Sequence, residues 1–108
     1  PQMKKLSLIL ALLITGTAQA RTMSDGDIGY ACSLIAANSA RVTKLALAGK
    51  SWAQVEAMLG GPDTDPSPEN QVSERVMKQA HETWAIMSPK DVRRLARAEC
   101  IKQMQAYQ

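Results

Sequence analysis

Two cysteines, Cys32 and Cys100, stand far apart in a chain of 108 residues. Joined, they would close a loop of about 69 residues and remove on the order of 4 kcal/mol of unfolded-state freedom. With two thiols there is one intramolecular pairing. Its formation depends on compartment, because cytosolic thiols stay reduced and exported ones oxidise.

The first twenty residues address that question. Met3-Lys4-Lys5 is a short positive start, and Leu6 to Ile14 is an apolar run interrupted only by Ser7. Thr15-Gly16-Thr17 leads into Ala18-Gln19-Ala20, the small-x-small pattern that signal peptidase accepts. The run is far short of the roughly 20 residues of a spanning helix. These residues are expected to be a secretory signal peptide cleaved after Ala20, with Pro1-Gln2 lying upstream of the start. No cysteine directly follows the cleavage site, where Arg21 stands, so no lipid anchor is expected. The expected address is the periplasm, and a Cys32–Cys100 disulfide follows from it.

Without its first 20 residues the chain is Arg21 to Gln108, 88 residues carrying 11 basic and 10 acidic side chains. The formal charge of +3 thereby falls to +1. Non-specific nucleic-acid binding needs many cations on phosphates, so no nucleic-acid partner is expected. No second apolar run is long enough to span a membrane, so no membrane anchor is expected either. The length suits a single domain. Its core is small, with 14 Val, Ile and Leu helped by 13 Ala, which is the situation in which a staple matters.

Period and punctuation predict an all-α fold, a bundle of about four helices tied by one disulfide. The first helix is expected over Asp27 to Ala48, with capping oxygens at Ser24 to Asp27 and a left-handed stop at Gly49. Its apolar stripe is Ile28, Cys32, Ile35, Val42 and Leu45. The second is Trp52 to Leu59, opened by a Ser51/Gln54 capping box and closed by Gly60-Gly61-Pro62. Ser67-Pro68 and Ser88-Pro89 each pair a cap with a first-turn proline and start the third and fourth helices. The third stripe reads Val72, Val76, Ala80, Trp84, Met87. The fourth reads Val92, Ala96, Cys100, Gln103, Tyr107, with Leu95 beside it. No alternating run of β-branched residues appears. Both cysteines fall on core stripes, which independently favours their pairing.

Catalytic patterns were weighed against simpler roles. His81-Glu82 opens like a zinc-protease helix, but Ala85 stands where the second histidine must be. Gly49-Lys50-Ser51 resembles the end of a phosphate loop, yet Lys44 occupies the position of the required glycine. Asp63, Asp65 and Glu69 lack the central glycine and bidentate glutamate of a calcium loop. The methionines are scattered rather than clustered. No enzyme, metal or cofactor is expected. Two surfaces remain as candidates for a protein partner. One is the basic stripe of Lys90, Arg93, Arg94 and Arg97 on the last helix, expected to face solvent opposite the core. The other is the proline-stiffened acidic loop around Asp63, Thr64 and Asp65, with Trp52 as a neighbouring anchor.

The layout resembles small exported helical proteins of proteobacteria, among them the immunity proteins of type VI secretion amidase effectors. The likeness is carried by Cys32, Arg41, Gly49-Lys50-Ser51, Trp84, Ser88-Pro89 and Cys100. It implies a periplasmic, often dimeric, all-α protein that blocks the cleft of a peptidoglycan-cleaving amidase. By position it assigns the blocking segment to residues 60–68. The alternative is an envelope stress chaperone or another small exported binding protein, since acid-activated periplasmic chaperones are also small, helical and closed by one disulfide.

Overall fold

The computed structural model describes residues 23–61 and 65–108. The expected signal peptide lies outside the described residues, as do Asp63 and Thr64. Among the described residues there are four helices: α1 (Asp25–Leu47), α2 (Trp52–Met58), α3 (Pro68–Thr83) and α4 (Pro89–Gln105). No strand occurs among the described residues. The fold is the expected all-α bundle, closed by a disulfide between Cys32 and Cys100.

Each helix begins at a serine in extended backbone whose hydroxyl takes an otherwise unpaired first-turn N–H. Ser24 accepts from Asp27 at 3.1 Å. Ser67 accepts from Asn70 at 3.3 Å, and Ser88 from Asp91 at 3.2 Å. At α2 the capping box is complete: Ser51 Oγ accepts from Gln54 N–H, and Gln54 Oε1 accepts from Ser51 N–H at 2.8 Å. Gly49 has φ 88° just past α1, where a side chain would be strained. The chain reverses there because a left-handed residue cannot continue the helix.

α1 packs against both α3 and α4, which also pack on each other. Early α1 (Ile28, Cys32, Ile35, Ala36) meets Val72 and Val76 of α3 and Ala96, Cys100 and Met104 of α4. Farther along, Val42 meets Val55 of α2 and Ala80 of α3, with Leu45, Trp52, Leu59, Met77 and Trp84 closing around them. Early α3 therefore lies by early α1 and late α3 by late α1, while late α4 lies by early α1. So α3 runs with α1, and α4 runs against both. Two polar side chains are buried in α1 without penalty. Ser39 Oγ donates to the carbonyl of Ile35 at 2.8 Å, and Thr43 Oγ1 to that of Ala40 at 2.7 Å.

Three details correct the sequence-based expectation. α1 begins at Asp25, because Ser24 is the cap. α3 ends at Thr83, although its apolar stripe continues through Trp84 and Met87. Trp84 is the C-cap, and Met87 N–H bonds to the Trp84 carbonyl at 3.0 Å, turning the chain toward α4. On α4 the buried line is Val92, Ala96, Cys100, Met104, a strict four-residue step, with Tyr107 partly buried against the same cluster and Gln103 half-buried beside it.

Candidate functional site

Four of the five basic residues of α4 occupy its first nine positions. Lys90 lies in the first turn, where the helix dipole disfavours a cation. Lys90–Arg94 and Arg93–Arg97 are four apart, and Lys90–Arg93 and Arg94–Arg97 three apart. Each like-charge spacing works against the helix by about 0.2–0.5 kcal/mol. Only Asp91 relieves them locally, accepting from Arg94 at 3.1 Å. That pair is exposed and contributes little.

Arg97, like Arg93 and Arg94, is exposed as the stripe reading expects. It reaches across to α1, where its Nε donates to Ser33 Oγ at 3.2 Å. Ser33 in turn donates to the carbonyl of Gly29 at 2.9 Å. A Cβ on Gly29 would sit 3.4 Å from an Arg97 Nη, so the guanidinium rests over a position that has no side chain. Among the described residues the Nη groups of Arg97 meet no acceptor, and Arg93 makes no hydrogen bond or ion pair. Next to Ser33 on α1, Tyr30 and Leu34 are 72% and 52% exposed, one helical turn apart.

Trp52 is placed elsewhere. It is half-buried in the second apolar cluster, edge-on to His81 with ring centroids 6.0 Å apart. His81 also lies 2.7 Å, Nε2 to oxygen, from the Lys50 carbonyl. This cluster centres on Val42, about 14 Å farther along α1 than Ser33. Trp52 and the arginines therefore do not converge. Asp65 stands at the foot of the connection into α3, where its carboxylate accepts from Ser67 N–H at 3.1 Å. Ser67 is the α3 cap, so Asp65 has a structural role in launching that helix.

One polar cluster has no counterpart in the sequence reading. Tyr107 Oη accepts from Arg75 at 3.0 Å and donates to Gln71 Oε1 at 2.9 Å, while Arg75 Nε donates to Gln103 at 3.0 Å. These bonds fasten the end of α4 to the exposed side of α3. The only sequence signal for them was the four-residue spacing of Gln71 and Arg75 facing the spacing of Gln103 and Tyr107. Among the described residues no three His, Cys, Asp or Glu side chains gather closely enough to hold a metal ion. No described helix is long and apolar enough to cross a membrane. No protein family, curated protein or solved structure matches the chain.

Proposed function

We propose that the chain is an exported binding protein that acts as an inhibitor, an immunity protein neutralising a peptidoglycan-cleaving amidase in the periplasm. The observation that carries this reading is the Cys32–Cys100 bond, whose two residues are fully buried and which joins the first helix to the last. A disulfide of this kind suits an oxidising compartment. It also holds the helices in one arrangement before any partner arrives, which lowers the ordering cost of association. The amidase as target comes from the layout shared with the exported helical immunity proteins.

The test is direct. The oxidised chain is mixed with the peptidoglycan amidase encoded next to its gene, and release of cleaved peptide from purified sacculi is followed. Full inhibition near one equivalent is expected. An amidase that stays active under molar excess of the chain overturns the proposal, as does a gene with no such neighbour.

A further inference from the structure

We infer that the flank where α1 meets α4, bearing Tyr30, Leu34, Arg93 and Arg97, is the face that docks an acidic segment of a protein partner. The inference rests on the reading that the chain works by binding a protein, but not on that protein being an amidase.

Three observations converge on this flank. First, the charge is unbalanced and costly to the fold. Four cations share the first nine residues of α4 with one carboxylate, Asp91, and that carboxylate faces Arg94. Local choices that oppose the helix, with little compensation among the described residues, are expected where function imposes them. Second, Arg97 is pre-positioned. Ser33 fixes its Nε, itself anchored on the Gly29 carbonyl, and bare Gly29 leaves room for the guanidinium. What remains is the pair of Nη groups, the end that grips a carboxylate by two parallel hydrogen bonds. Arg93 lies one turn earlier on the same flank of α4. Third, exposed apolar surface lies alongside. On α1 the exposed Tyr30 lies one turn before Ser33, with the exposed Leu34 one turn beyond Tyr30, and tyrosine and arginine are enriched where interfaces carry their energy.

The occupant is thus a polypeptide surface with two carboxylates spaced to meet Arg93 and Arg97 and an apolar side chain to cover Tyr30 and Leu34. A bare anion would leave that apolar pair uncovered, and a neutral apolar partner would leave the guanidinium ends unpaired.

The experiment uses the full chain, expressed and exported in its own host. A photo-crosslinking phenylalanine replaces Tyr30, and separately Lys78 on the far side of α3 as a control. The expected result is a discrete protein adduct from position 30 that is absent from position 78. It should fall at least tenfold in R93E/R97E. With the purified adduct partner, R97A and R97K should both weaken binding about tenfold, because a lysine cannot reproduce the two-pronged grip, and affinity should fall with salt. R93A, which breaks no contact among the described residues, serves as the second variant if the double charge reversal disturbs folding; it too should weaken binding. No adduct at position 30 overturns the inference. So does equal labelling at both positions, an adduct unaffected by the arginine changes, an adduct of two copies of this chain, or one with lipid. An acidic partner that is not an amidase defeats the proposed function and leaves this inference standing. Full amidase inhibition by R93E/R97E does the reverse.

Discussion

The Nε2 of His81, on α3, lies 2.7 Å from the carbonyl oxygen of Lys50, at the entrance to α2. A carbonyl only accepts, so this nitrogen carries the proton, and the ring edge then rests on Trp52. α2 has seven residues and is too short to persist alone, so it depends on such ties and on Val55 in the second cluster. His81→Ala should cost about 1 kcal/mol in urea unfolding. It should also speed hydrogen exchange in Trp52–Met58 more than in α1.

Met104 is sealed between α1 and α3, while its neighbour Gln103 is only half-buried. Met104→Ala should therefore destabilise by about 2–5 kcal/mol. Gln103→Ala, which loses the bond from Arg75, should cost about 1 kcal/mol or less. Equal losses in thermal unfolding would contradict the four-residue packing step on α4.

Replacing Cys32 and Cys100 together by alanine should remove about 2–5 kcal/mol of stability. Because both cysteines are fully buried, a reductant should reach the native bond only through opening of the bundle. Alkylation of the folded protein under mild reductant should lag until denaturant is added.

Gly29 lies inside α1 and has ordinary helical backbone. Gly29→Ala should raise stability by about 0.5–1 kcal/mol, since its new methyl group meets only the movable end of Arg97. Gly29→Leu should instead displace the guanidinium from Ser33 and weaken partner binding while the fold persists. Calorimetric melting beside a binding titration separates the two effects.

Helix starts were legible because their causes are local. Ser51 and Gln54, Ser67-Pro68 and Ser88-Pro89 declare themselves within four residues, and each forms the cap expected of it. Helix courses were less legible because packing decides them. The apolar spacing through Trp84 and Met87 fits a continuing helix, yet the chain turns there and leaves Ile86 89% exposed at the bend. Period alone could not separate Gln103 from Met104 as the residue after Cys100, since three- and four-residue steps both keep a helical face. Only the neighbours on α1 and α3 settle it. The candidate surface was half legible. The arginine spacing was plain in α4, but the role of Ser33 and Gly29 in holding Arg97 crosses 64 positions of sequence and leaves no local trace.

Linking the first helix to the last has a topological result apart from stability. Any single peptide bond cut between Cys32 and Cys100, including one in the connection from α2 to α3, yields two fragments that remain one covalent molecule. Such a nicked chain keeps its helices at high mutual concentration and can reassemble without searching for its other half. Within that span a protease must cut twice, or a reductant must act as well, before a piece can diffuse away.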